Sequence, residues 1–208
     1  MKSHVARVDL YNRLTNKTEP ADVFQEIDQA NLDDYTRLWR PAFLGRLAGL
    51  TSAAEVQAAN LQDEHWDWIG KTSQRSGHLG YESFAVECAG VTQGLMFVKT
   101  TAFARLESQK GLDLVYVDLL ATAPWNRHGF TATPTYKGVG RVLLVTAVSY
   151  SAELGFRGRL GLHSLPQSES WYRTQCGMTD LGVDPAVPPG VLHYFEMTEV
   201  QAQAFTAP

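Results

Sequence analysis

Tyr136-Lys137-Gly138-Val139-Gly140-Arg141-Val142-Leu143-Leu144 is the stretch whose reading decides the fold. Two glycines, one residue apart, precede apolar residues that recur every three or four positions: Val139, Leu143, Ala147, Tyr150 and Leu154. That period predicts a helix to Glu153 or Leu154, with Gly155 as its stop. Upstream, Leu112 to Pro124 reads as a strand. Leu112, Leu114, Tyr116 and Asp118 share one face; Val115, Val117 and Leu119 share the other. A strand, a glycine loop and a helix in this order put first-turn N–H groups, which lack intrahelical acceptors, beside the loop. Those groups and the helix dipole favour an anion there. An ordinary strand-to-helix turn also contains such glycines, so the neighbouring segments have to decide.

After the helix, Arg159 to Ser164 predicts a short strand. A strand, a crossover helix and a second strand imply a parallel pair. Pro166 opens a short helix through Gln175, closed by Gly177. Met178 to Leu181 and Leu192 to Thr198 read as the last strands, separated by Pro185, Pro188 and Pro189. Glu199 to Phe205 adds a terminal helical turn. Before the central strand, Phe84, Val86 and Cys88 alternate with polar or small residues from Tyr81, and Leu95 to Leu106 follows a turn at Gly90. These two strands and the central one predict an antiparallel meander.

The N-terminal portion reads differently. Val5, Val8 and Leu10 predict a short strand, and Asp22 to Ala30 a short helix. A further helix starts near Asn31 as N-cap, with Leu32, Tyr35, Leu38 and Trp39 on one face; Pro41 kinks or ends it. Ser52 and Glu55 have capping-box spacing for another helix through Leu61. Trp66 and Trp68 are expected to pack in the core, and Lys71 to Gly80 to form a loop.

The 208 residues suffice for one domain, and 44% hydrophobic with 19% charged residues describes a globular chain. A formal charge of −4 argues against a nucleic-acid binder and is compatible with a cationic substrate such as an amine. Cys88 and Cys176 have neither metal-ligand spacing nor a disulfide framework, which implies no metal and a reducing, cytoplasmic setting. The N-terminal residues show no signal peptide, and no apolar run approaches a membrane span.

From about Tyr81 to Thr198 the chain resembles the GCN5-related N-acetyltransferase (GNAT) family. Three features carry the likeness. The strand ending in Thr122-Ala123-Pro124 leads to Gly138-Val139-Gly140. The helix-strand pair ends at His163-Ser164. Trp171-Tyr172-Arg173-Thr174-Gln175-Cys176-Gly177-Met178 is similar to the family's aromatic-Tyr-x-x-x-Gly-apolar signature. The resemblance implies an α+β acyl-CoA N-acyltransferase fold: a mixed sheet with an antiparallel meander, a parallel splayed strand pair and helices on the faces. One GNAT-like domain would span 1–208, with residues 1–75 a helical portion lining the acceptor side and 81–198 binding acetyl-CoA.

The resemblance also implies roles for residues. Amides of Lys137, Gly138, Val139, Gly140, Arg141 and Val142 would hold the acetyl-CoA diphosphate. Backbone at Leu120 and Thr122 would pair with pantetheine, and an N–H near the splay would bond the thioester carbonyl. Tyr172 would protonate the departing thiolate, because a phenol keeps its proton at neutral pH. Asp118, inside an apolar strand, is the first candidate base, ahead of Glu87 and His163. Two positions depart from the family pattern. Thr135 stands where Arg or Gln is usual, while Arg127 follows Pro124 at the usual distance, cut off by an insertion, 128–135, expected to form a flap. Leu165 stands where Asn is common, with Ser168 as a weak substitute.

The implied activity is transfer of an acetyl group from acetyl-CoA to a primary amine in a ternary complex. The alternatives are an acyl-CoA-binding regulatory module with little catalysis and a toxin that acetylates aminoacyl-tRNA, the latter opposed by the acidic balance. Trp66, Asp67 and Trp68 are the candidate acceptor contacts. The acceptor's identity and the oligomeric state, homodimer included, stay open.

Overall fold

Alternation starts at the first residues of the chain. In β1 (Ser3–Asn12), Leu10 and Asn12 are buried between exposed neighbours. Asn12 Oδ1 accepts from the amides of Leu14 (2.9 Å) and Thr15 (3.2 Å), turning the chain into β2 (Lys17–Gln25), which pairs antiparallel with β1. Ala21 and Val23 are the buried residues of β2. The helix expected over Asp22 to Ala30 is therefore a strand as far as Gln25. Ladders to β1 on one side and to β3 (Tyr81–Cys88) on the other outweigh the local helix preference. The computed structural model describes residues 2–52, 54–55, 59, 61–188 and 190–207. The helix expected through Leu61 falls largely outside the described residues, but its capping box is present. Ser52 Oγ accepts from Glu55 N (3.2 Å), and Glu55 Oε2 accepts from Ser52 N (3.0 Å).

Helix α1 (Gln29–Asp34) is capped by Asp28; Asn31, the expected cap, is the reciprocal member of that capping box. A π turn, Tyr35–Trp39, leads directly into α2 (Arg40–Ala48). Pro41 does not end the helix. The wider turn, in which Arg40 N–H bonds Tyr35 O, absorbs the ring and its missing donor. Asp67 caps α3 (Trp68–Arg75), so the first half of the expected loop, Lys71 to Arg75, is helical.

The remaining elements are β4 (Val91–Phe103), β5 (Asp113–Thr122), β6 (Tyr136–Lys137), α4 (Val139–Glu153), β7 (Leu160–Ser164), α5 (Glu169–Thr174), β8 (Thr179–Val183), β9 (His193–Met197) and α6 (Glu199–Thr206). The strands form one mixed sheet in the order β6-β1-β2-β3-β4-β5-β7-β9-β8. This is the expected fold class, extended at one edge by β1, where a short strand had been expected, by β2, whose second half had been expected as helix, and by β6. No helix among the described residues is long and apolar enough to cross a membrane.

The chain divides into two compact units, with β4, β5 and α4 each running from one into the other. The first comprises 1–78, 82–96 and 120–143. Its core gathers Leu10, Val23, Trp39, Phe84, Val86, Leu95, Val139 and Leu143. Trp39 Nε1 donates to Thr92 O (3.1 Å), and Asp34 accepts from both Thr92 N and Oγ1 (2.8 Å each), tying the helices to β4. The second unit comprises 79–81, 97–119 and 144–208. There Leu114, Val115, Leu160, Leu162, Phe195 and Met197 are buried with Leu144, Ala147 and Phe205. β5 and β7 are parallel, and β7 and β9 antiparallel.

Candidate active site

In the first unit the glycine loop is held by the N-terminal strands. Tyr11 of β1 pairs with Lys137 and Asn12 with Tyr136, and Arg13 N donates to Thr135 O (2.8 Å). Gly138 adopts φ +101°, a conformation in which a side chain would be strained. Lys137, Gly138 and Arg141 are exposed while Val139 is buried, so the loop presents its backbone to solvent. The N–H groups of Val139 and Gly140 open a helix of 15 residues. The Val142 amide, by contrast, donates to Gly138 O (2.9 Å), closing the first helical turn.

This helix start sits close on β4 because position 94 has no side chain. A Cβ at Gly94 would lie 2.8 Å from Val139 Cγ1, 2.9 Å from Leu143 Cδ1 and 3.5 Å from Ala121 O. Gly94→Val is expected to destabilise by about 1–3 kcal/mol through overpacking. Urea unfolding reads it; an unchanged midpoint would mean that α4 tolerates displacement from β4.

β5 is an interior strand, bonded on both of its edges. Val115 N donates to Arg159 O (3.1 Å), on the β7 side, whereas Ala123 N donates to Gln93 O (2.9 Å), on the β4 side. The paired register of β5 with β7 ends at Val117↔Leu162, although β5 continues to Thr122 and β7 to Ser164. His163 and Ser164 keep their partners on β9.

The insertion after Arg127 is clamped rather than loose. Arg127 forms a two-bond ion pair with Asp63 (2.8 and 2.7 Å), and its guanidinium lies 5.4 Å from the Phe43 ring centre and 5.1 Å from that of Phe130. Phe130 meets Phe43 edge-on at 4.7 Å, and Arg46 Nε donates to Gly129 O (2.9 Å). Arg127 therefore fastens the insertion to the helical segment. Trp68 is buried, as expected. Trp66 and Asp67 line a cavity of about 420 Å³ with Tyr35, Phe43, Glu64 and Ile69. Glu87, a runner-up base, is committed to Lys2 and to Asn31 Nδ2 (2.6 Å).

The second unit holds the residues expected to do chemistry. Tyr172, on α5, is buried with its ring 4.9 Å from Trp171 and 5.9 Å from Phe195. Burial pushes its phenol well above the ordinary value, the proximity of Cys176 adding to it, so the proton stays on at neutral pH. Asp118 is largely covered and 3.8 Å from Lys99 Nζ, and that ammonium also lies over the rings of Tyr81 (5.2 Å) and Tyr116 (5.8 Å). Ser168 is half-buried at the start of α5, its amide bonded to Leu165 O (2.8 Å).

Beside these stands a chain of which the sequence singled out only His163. Tyr116 Oη is 2.8 Å from His163 Nδ1, and His163 Nε2 is 3.0 Å from Asp184 Oδ2. Arg105 pairs with the same Asp184 oxygen, and its guanidinium lies 4.2 Å from the centre of the Tyr194 ring. Gly161 makes room for that ring: a Cβ there would stand 2.5 Å from Tyr194 Oη. Tyr116 and His163 lie 47 residues apart, and His163 and Asp184 21, so only the fold joins them.

No family model matches the chain, and no curated protein matches it. Solved structures do. FeeM, an N-acyl amino acid synthase from uncultured soil microbes, superimposes with a TM-score of 0.56 at 11% identity, over 89% of this chain and 94% of that one. The PaiA N-acetyltransferase of Thermoplasma acidophilum, solved with coenzyme A, gives 0.51 at 14% identity, over 85% and 98%. A GNAT-family protein of Desulfovibrio desulfuricans gives 0.51 at 13%, over 86% and 99%. At these identities the likeness shows the fold, which is that of the GNAT acyltransferases.

Proposed function

We propose that the chain is an acetyl-CoA-dependent N-acetyltransferase in which a primary amine attacks the thioester directly. The observation that carries this reading is the end of β5. Its parallel pairing with β7 stops at Val117 although the strand runs on to Thr122, and the chain continues to a solvent-facing glycine loop at a long helix's start. Those features fit an extended, amide-bearing chain that ends in a diphosphate. The fold's solved members include one described with coenzyme A and one described as an N-acyl amino acid synthase, which supports an acyl-CoA donor and an amine acceptor.

Amides of Gly138, Val139 and Gly140, with Lys137 and Arg141 nearby, take the diphosphate. Leu120 and Thr122 offer backbone to the pantetheine amides, and Ser168 a hydroxyl. Tyr172 gives its proton to the thiolate as the carbon–sulfur bond breaks. Asp118 is the carboxylate that meets the incoming ammonium. Cys88 and Cys176 are both buried, and burial raises the Cys88 thiol, which supports direct attack over an acyl-cysteine. The cavity beside Trp66 and Asp67 is the proposed acceptor contact, and a reducing cytoplasm the proposed setting.

Calorimetric titration with acetyl-CoA, paired with a free-thiol assay over a panel of primary amines, tests the proposal. Saturable binding with amine-dependent thiol release is the expected result. Binding without release under every amine would point instead to a regulatory acyl-CoA-binding module. No binding at all would remove both.

A further inference from the structure

The chain Tyr116–His163–Asp184 has an order that a static contact does not require. Asp184 is held as an anion well below the usual carboxylate range by Arg105 and by His163. It fixes the imidazole with Nε2–H toward the carboxylate and leaves Nδ1 as the acceptor of the Tyr116 hydroxyl proton. The His163 side chain is only 5% exposed, and both its ring nitrogens are engaged. A proton from outside therefore reaches Nδ1 through the half-buried Tyr116. Tyr116 stands on β5 one residue before the last paired position, Val117, and on the face that carries Asp118.

We infer that Tyr116, His163 and Asp184 form a proton relay that deprotonates the amine acceptor. This rests on the acetyltransferase reading. The ammonium N–H bond breaks as the phenol oxygen takes its proton, and the phenol's own O–H proton passes to His163 Nδ1. The products are the neutral amine and an imidazolium stabilised by Asp184; the imidazolium later returns its proton to water. Tyr116 is the catalytic residue of this step, His163 the proton store and Asp184 a positioning residue. Burial lowers the His163 imidazole below its ordinary value, against the pull of Asp184, so it is neutral and receptive at pH 7. The other charged and titratable groups around it are Arg105 after β4, Lys99 on β4, Asp118 on β5, and Tyr194 and Glu196 on β9. Tyr116 itself is pushed up to about 12, chiefly by burial, so it works as a conduit and not as a standing phenolate.

The test is kcat against pH with saturating acetyl-CoA and spermidine, L-methionine, glucosamine or a lysine peptide. Wild type, His163→Gln, Tyr116→Phe and Asp184→Asn are compared. The wild-type acid limb should fall below pH 6.5. His163→Gln and Tyr116→Phe should lose about 10²-fold at pH 7, as for a removed general base. Both should recover as pH rises through the amine's own pKa, about 10.4 for a lysine-like amine, because free amine then needs no base. Nitrogen-15 spectra of histidine-labelled protein should show His163 as the neutral Nε2–H tautomer at pH 7. A wild type that turns over while both variants keep its acid limb, or a His163 of the other tautomer, overturns the relay alone. A wild type that releases no thiol with any of the amines overturns the acetyltransferase reading and the relay with it.

Discussion

Tyr172→Phe is expected to lower kcat by about 10³-fold while leaving acetyl-CoA affinity and stability close to wild type. The substitution removes one oxygen and keeps the ring against Trp171 and Phe195. Packing is thus preserved, and the lost quantity is the proton for the thiolate. The deficit should persist at high pH, where loss of the relay is forgiven, because a donor is missing and not a base. Steady-state kinetics over a pH range, with calorimetry for acetyl-CoA, separates the two. A Tyr172→Phe protein with wild-type kcat throughout would end the assignment of this phenol.

The largest stability effect is expected at Glu196. Its carboxylate is wholly buried on β9 and receives three donors: Arg105 N, Leu106 N at 3.0 Å and Gln109 Nε2 at 2.9 Å. Glu196→Ala leaves all three without an acceptor in a place water does not reach. Each unmet buried donor costs about 1–3 kcal/mol, so the total should exceed about 3 kcal/mol. Glu196→Gln, which keeps the shape and one acceptor oxygen, should lose less. Chemical denaturation of the two variants gives the comparison, and a Glu196→Ala loss under about 1 kcal/mol would contradict it. The substitution should also disturb Arg105, and through it Asp184, so any folded fraction should show weakened turnover.

What could be read from residues alone was whatever local periodicity or backbone chemistry dictates. Glycines at 138, 140 and 155 bracket a helix whose apolar spacing has no second interpretation, and Gly138 and Gly155 do adopt positive φ. The alternation from Tyr81 and the β5 pattern were legible for the same reason. β2 was not: its Asp, Glu, Gln and Ala content reads as helix, and only pairing on both edges makes it a strand. Asp67 as the cap of α3 was hidden by the polar run that follows it. The site divided along the same line. The loop and Tyr172 announce themselves by short motifs, whereas Tyr116, His163 and Asp184 share no motif and become neighbours only through the β5–β7–β9–β8 order. His163 could be singled out as a lone histidine at a strand end, but nothing in the chain's order named its partners. Arg127 sat at a suggestive distance from Pro124, and its true partner, Asp63, lies far back in the helical portion.

The two-residue strand β6 has a consequence for how the molecule assembles. Tyr136 and Lys137 are clasped by Tyr11 and Asn12, and the Tyr136 hydroxyl reaches Glu19 at 2.6 Å. The β1–β2 hairpin thus waits for a segment more than a hundred residues later in the sequence, and the glycine turn is shaped only once they meet. Contacts between such distant segments are slow to form. The glycine turn should therefore reach its final form late in maturation, after the β1–β2 hairpin has closed.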